Sequence, residues 1–371
     1  MAKRVLITGG AGFIGSHLTD ELIQNGYKVR ILDNLNDQVH GSGKKRPEYL
    51  NSNAELVNGD ILNHSEIENS LKDVDIVYHF AARVGVGQSM YEIDKYSDTN
   101  IMGTSHLLQY LIDHPVEKLI VASSMSIYGE GLYKNIKGEI VNGTYRSLAQ
   151  LKQGKWELID NENQILVPVP TNESKVPVLA SIYALSKYNQ EQMCLITGNA
   201  YKIPVVALRF FNVYGTRQAL SNPYTGVLAI FASRLLNGNP PLIFEDGNQK
   251  RDFIHVRDVA RACRLAAERN EANYNVINIG SGNAYSINEL AEELSKVMKI
   301  DTPAKVTGKY RVGDIRHCFA DITRMKEMLG YTPQVQLNNG LSELAEWVSG
   351  QIASDNVEYA HSELFARGLS V

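Results

Sequence analysis

Cysteine is scarce in this chain: three among 371 residues, at Cys194, Cys263 and Cys318, scattered and odd in number. Neither a disulfide framework nor a metal-ligand spacing can be built from them, so no metal is expected. Long apolar runs are missing too. No stretch reaches the roughly 18 residues of a membrane span. Met1-Ala2-Lys3-Arg4 runs directly into a strand pattern with no signal peptide ahead of it. The expectation is a cytoplasmic protein with no membrane partner. Neither sign of charge prevails: 37 Lys and Arg stand against 41 Asp and Glu, a net charge of -4. That balance offers no general attraction for nucleic acid. No internal repeat or low-complexity tract appears, and the length allows one large or two unequal domains.

What is present is more telling. Val5-Leu6-Ile7-Thr8 is an apolar strand pattern that runs into Gly9-Gly10-Ala11-Gly12-Phe13-Ile14-Gly15 and then into a helical one. Gly9 permits the tight turn, Gly12 lets backbone amides approach a pyrophosphate, and Gly15 lets the helix pack close to the sheet. The anion then meets the positive end of the helix dipole. A second strand pattern, Lys28 to Leu32, ends at Asp33, where a carboxylate can meet the adenosine ribose hydroxyls. It would repel a 2′-phosphate, so the expected cofactor is NAD rather than NADP. Lys44-Lys45-Arg46 reads as a solvated loop rather than as a 2′-phosphate site.

Apolar runs at Asp75-Ile76-Val77-Tyr78, Leu119-Ile120-Val121-Ala122 and Val205-Val206-Ala207-Leu208 read as buried parallel strands. Helical patterns around 100–111 and 183–196 separate them. The alternation predicts an α/β fold, a Rossmann-like doubly wound parallel sheet with a smaller α/β substrate-binding domain. Residues 256–268 and 276–279 look like a return to the sheet. The expected NAD-binding domain is therefore 1–209 plus 253–282, and the substrate-binding domain is 210–252 plus 283–371.

A hydroxyl stands at Ser124 in Ser123-Ser124-Met125-Ser126-Ile127-Tyr128-Gly129, and Tyr183-Ala184-Leu185-Ser186-Lys187 follows downstream. On a helix, Tyr183 and Lys187 share a face one turn apart. A free tyrosine titrates near ~10. A lysine ammonium and a positive nicotinamide ring should both lower it, so that Tyr183 can take a proton from a sugar hydroxyl while Ser124 hydrogen-bonds the same oxygen. With the glycine turn, these residues resemble the extended short-chain dehydrogenases/reductases, in the nucleotide-sugar epimerase/dehydratase branch.

That resemblance covers nearly the whole chain and implies catalytic roles for Ser124, Tyr183 and Lys187. It implies cofactor contacts from Gly9, Gly12, Phe13, Ile14, Gly15, Asp33, Asn34, Asp60, Ile61, Phe80, Ala81, Ala82, Asn100, Tyr183 and Lys187. For the substrate, a nucleotide-diphosphate sugar, it implies Val84, Ser124, Met125, Asn212, Arg217, Arg251, Arg311 and Asp314. Arg251 and Arg311 would grip the diphosphate and Asp314 a ribose. It also implies a homodimer through the helices holding Asn100 and Tyr183.

Dehydratases of the family carry adjacent Asp and Glu after the serine. Met125 and Ser126 cannot trade protons in that way, which disfavours dehydration. Reversible oxidation at C4 with rotation of a 4-keto sugar needs no extra acid, and net reduction would use the same residues. Asn36 to Gly41, Arg83 to Met90 and Ser124 to Tyr133 together resemble the dTDP-L-rhamnose 4-epimerase subgroup. UDP-glucose, UDP-N-acetylglucosamine and UDP-glucuronate are the alternative substrates, and a non-enzymatic cofactor sensor is disfavoured by the intact Tyr183 and Lys187. An extra segment, roughly Tyr133 to Thr171, reads either as a surface hairpin or as a lid over the substrate cleft.

Overall fold

A computed structural model describes residues 2–222, 224, 226–310, 314–351, 355 and 357–369. A seven-stranded sheet organises it, in the spatial order Asn275–Ile279, Val205–Phe210, Lys118–Ser124, Ile76–His79, Arg4–Thr8, Lys28–Asp33, Glu55–Asn58. All six pairings are parallel. Strand alternation feeds two cores. Val5, Ile7, Ile31 and Tyr78 pack on one face, and Leu6, Leu32, Val77 and Val121 on the other. Both faces are covered by helices, so the strands read as continuous apolar runs. The strand order reverses between Arg4–Thr8 and Ile76–His79, the place where open α/β sheets leave a crevice for ligands.

The helix Ile182–Tyr201 begins where Ser181 caps the amide of Ala184 and ends at Lys202, which is left-handed at φ 61. It is fastened to the sheet from below. Arg209 donates to both oxygens of Glu191, at 2.9 and 2.7 Å, and Ser123 adds a third bond at 2.6 Å. Helix and strands are thereby held in one register beside Ser124. The helical pattern around Asn100 is π-helical over Ser97–Met102 and then α-helical over Gly103–Asp113. Phe13–Gln24 and Val256–Glu268 pack together on the opposite face.

A separate core lies where helices Val227–Leu236, Ile287–Met298 and Leu337–Ser349 meet. Thr323–Leu329 instead places Met325 and Leu329 in the core of the large sheet.

The extra segment is more than a hairpin. Leu132–Lys134 pairs antiparallel with both Ile140–Asn142 and Val167–Val169, and a short helix, Leu148–Lys152, follows the first turn. Tyr133, Leu158 and Leu166 form its own small core. Ion pairs sew it to Glu245 and to the Arg316–His317 strand region. Arg146 bonds Glu245 at 2.8 Å, and Glu157 meets the fully buried Arg316 at 2.5 Å and His317 at 2.9 Å. Among the described residues, no helix is long and apolar enough to cross a membrane.

Candidate active site

The glycine turn is a cradle that side chains would fill. Gly9 sits at φ 70, and a Cβ there would lie 2.8 Å from the Ala81 nitrogen; at Gly15 it would lie 2.6 Å from the Gly10 Cα. Gly12 starts the helix Phe13–Gln24 without a side-chain cap, so its first amides are left for an anion. Asp33 ends the second strand, buried, and accepts from the amides of Ala11 and Leu35 at 3.0 Å each. Burial pushes its carboxyl up, while the Leu35 amide, His40 and the Ala11 amide favour the ionised form. Asn34 donates to Asp60 at 2.9 Å, and both line a hollow with Asn36, Asp37, Lys44, Asn58 and Gly59. These residues fit a dinucleotide. Replacing Asp33 with serine is expected to lower the NAD-to-NADP affinity ratio about tenfold, some 1.4 kcal/mol, because the repulsion of a 2′-phosphate is removed. Parallel titrations of the stripped protein with both cofactors check it.

Ser124 closes the Lys118–Ser124 strand, and its hydroxyl acts on the phenol of Tyr183, favouring the phenolate. Its oxygen also bonds the Ser126 hydroxyl at 3.0 Å. The amide of Tyr183 donates to Ser89 at 3.0 Å, which ties the loop carrying Val84 to the helix start. Lys187, one turn on, is buried, and its ammonium donates to the side-chain carbonyl of Gln190. Burial lowers Lys187 to about 8, with Cys194 and Glu191 pulling it back up. The expected lowering of Tyr183 is not found in the protein alone. Burial pushes the phenol up, and the Ser124 hydroxyl only partly offsets it. The reason is local: the dry site penalises a phenolate.

On the substrate side, Met125 and Asn212 come together, the Asn212 amide lying 3.7 Å from the Met125 sulfur. Asn212 also donates to the Asp252 carbonyl at 2.8 Å. Val84 is 47% exposed and Val86 51%, so both are free to meet a ligand. Arg251 donates to the carbonyls of Ile315 and Arg316, next to Asp314. The carbonyl of Asp314 accepts from Arg146 at 2.9 Å, so the extra segment holds the end of that loop. With Gly129, Glu130, Tyr145, Leu151, Ala180 and Ile315, these two residues line a cavity. Arg311 lies outside the described residues.

The remaining expected contacts occupy these places. Arg217 stands on the cofactor side, paired with Asp20 of the Phe13–Gln24 helix at 2.8 Å and stacked 5.7 Å from the centre of the Tyr49 ring. Its left-handed backbone, φ 67, turns it there. Asn100 is fully buried and bonds both backbone groups of Arg83, at 2.7 and 3.1 Å, and Ser186 at 2.9 Å. It therefore shapes the loop before Val84. Ile61 is buried with its side chain under Gly103. Phe80 stacks edge-on against Phe210, and Phe80 and Ala81 donate their amides to Thr8 beside the glycine turn. Residue patterns alone missed Glu191, Gln190 and His79. Glu191 was within reach of pattern reading, one further turn along the Tyr183–Lys187 face.

The family profile described as NAD dependent epimerase/dehydratase matches residues 5–149 and 163–280. The dTDP-L-rhamnose 4-epimerase of Burkholderia thailandensis is 34% identical over 95% of this chain and 97% of its own. Among solved structures, the UDP-glucose 4-epimerase of Thermotoga maritima with UDP-glucose has a TM-score of 0.76 at 34% identity, covering 93% of this chain and 98% of that one. A UDP-glucuronic acid 4-epimerase from Bacillus cereus, in complex with UDP-glucuronic acid and NAD, also gives 0.76, at 29% identity over 93% and 99%.

Proposed function

The chain belongs to the NAD dependent epimerase/dehydratase family, and from that premise we propose that it inverts C4 of a 6-deoxyhexose carried on dTDP. The pair interconverted is dTDP-L-rhamnose and dTDP-6-deoxy-L-talose. The observation that carries the reaction type is Tyr183 acted on by the Ser124 hydroxyl, with Lys187 one turn behind and no acid–base pair at Met125 and Ser126.

NAD, held by the glycine turn and Asp33, supplies reversible hydride acceptance at C4. Tyr183 takes the proton of the 4-hydroxyl and returns it once the sugar has turned its other face. Ser124 hydrogen-bonds the same oxygen as hydroxyl and as carbonyl. Lys187 keeps positive charge near the phenolate while it exists. Asn212, Arg251, Arg311 and Asp314 hold the diphosphate and nucleoside, a fixed anchor about which the 4-keto sugar rotates.

Three features support the 6-deoxy sugar. Val84, Val86 and Met125 offer an apolar wall to a C6 methyl. A uronic acid would want a guanidinium there, and Gln88 is committed to Gln38 and Glu92, at 2.9 and 3.1 Å. The likeness to a dTDP-L-rhamnose 4-epimerase points the same way. Side-by-side kcat/KM is expected to favour dTDP-L-rhamnose over UDP-glucose, UDP-N-acetylglucosamine and UDP-glucuronate. Preference for any UDP-hexose would replace this substrate with that one. The reading includes a homodimer through the helices of Asn100 and Tyr183, where Met102, Leu185 and Ile196 are exposed; sedimentation of the NAD-loaded protein tests it.

A further inference from the structure

Resting on the catalytic roles given above to Tyr183 and Lys187, we propose that Gln190 is a positioning residue: its side-chain carbonyl holds the Lys187 ammonium beside Tyr183, and His79 and Thr104 fix that amide from behind.

Donor counting leads there. Lys187, Gln190, His79 and Thr104 are all buried. An ammonium can only donate, so the oxygen of Gln190 must face Lys187 and its NH2 must point away. That NH2 reaches His79 Nε2 at 2.8 Å and Thr104 Oγ1 at 3.1 Å. The Thr104 hydroxyl hydrogen is already spent on the Asn100 carbonyl at 2.6 Å, so its oxygen is free to accept. His79 Nε2 also lies 2.9 Å from Thr104 Oγ1. Its Nδ1 lies 2.8 Å from Thr8 Oγ1. Burial and the Lys187 charge lower His79 to about 3, so the ring stays neutral at working pH. A line of bonds thus runs from Lys187 to Thr8, which also receives the amides of Phe80 and Ala81 next to the glycine turn.

Other groups around Lys187 do not serve as its acceptor. Glu191 is committed to Arg209 and Ser123. Cys194 is a thiol pushed up to about 12 by burial. Tyr183, one turn before, has a phenol raised by burial, and His79 faces the Gln190 amide. Without the Gln190 carbonyl, a flexible ammonium in a dry site would shed its proton more readily or swing from Tyr183.

The test compares the wild type with Gln190→Met and Gln190→Glu, all loaded with NAD. Gln190→Met removes the acceptor, so the alkaline limb of the kcat–pH profile is expected to move about one unit toward acid, with kcat falling roughly tenfold. Gln190→Glu keeps an acceptor and adds charge, so the limb should move toward alkali. The Lys187 titration itself, followed by NMR of ε-carbon-labelled lysine and assigned with Lys187→Met, should shift in the same two directions. That readout needs no substrate, so it separates failure of this proposal from failure of the assigned reaction. Unshifted titrations in both variants, or shifts of the same sign, would overturn the positioning role. If Gln190→Met lost NAD or folded poorly, the direction in Gln190→Glu would decide.

Discussion

Tyr183→Phe is expected to leave the fold and the bound NAD in place and to cut turnover by ~10²–10⁴, the usual worth of a general acid–base group. The phenyl ring keeps the packing against Tyr96, whose ring lies 6.4 Å away edge-on, so stability should change little. What disappears is the one group placed to exchange a proton with the sugar oxygen, together with its interaction with Ser124. The loss should fall on kcat and on kcat/KM alike, because the phenol acts in the transition state rather than in binding. Steady-state kinetics with released-cofactor analysis on the same preparation checks both halves. Near-normal turnover would remove Tyr183 from the mechanism.

The second large effect concerns stability. Arg316 is completely buried and donates to Glu157, to Glu245 at 2.9 Å and to Asp246 at 2.7 Å. Replacing it with methionine would leave Glu245, itself 3% exposed, with one cation fewer in a dry setting. Removing one partner of a buried charge cluster typically costs ~3–5 kcal/mol. Denaturant unfolding of Arg316→Met should show a loss of that size, whereas an exposed pair such as Lys296–Glu293 should contribute under ~1 kcal/mol when broken. A change below that lower value in Arg316→Met would mean the cluster does not fasten the extra segment. Acid should act on the same place. Burial raises the Glu157 carboxyl, but bonds to His317 and Arg316 outweigh it and bring it to about 2. A depressed carboxylate stabilises above its unfolded value, near ~4.3, and that contribution fades as pH falls toward about 2.

The parts of the site legible in the sequence are those whose geometry is local. A glycine turn after a strand, a carboxylate at the end of the next one, and Tyr183 with Lys187 on one helical face each need only a short stretch of chain. The strands around 75–79 and 205–210 were legible for the same reason, since apolar runs mark them; 256–268 read as a return to the sheet and is a helix. Contacts between distant segments left no such trace. Gln190 meets His79 across the sheet, and Arg209 meets Glu191 under the catalytic helix. The extra segment read as a surface hairpin or a lid; folding buries the Arg146 side chain to 3% exposure against Glu245. Arg217, a substrate contact by the resemblance, is aimed by a left-handed backbone at Asp20 and Tyr49.

The central claim is that C4 is oxidised and reduced within one binding event, with Tyr183 moving the proton and the C4 hydrogen returned to the opposite face. dTDP-L-rhamnose carrying deuterium at C4, incubated with the NAD-loaded protein in ordinary water, tests this most directly by NMR of recovered sugar. The account predicts dTDP-6-deoxy-L-talose that keeps the label at C4 as epimerisation reaches equilibrium. Epimer in which solvent hydrogen has replaced the deuterium, or no epimer while dTDP-L-rhamnose is bound, would contradict it.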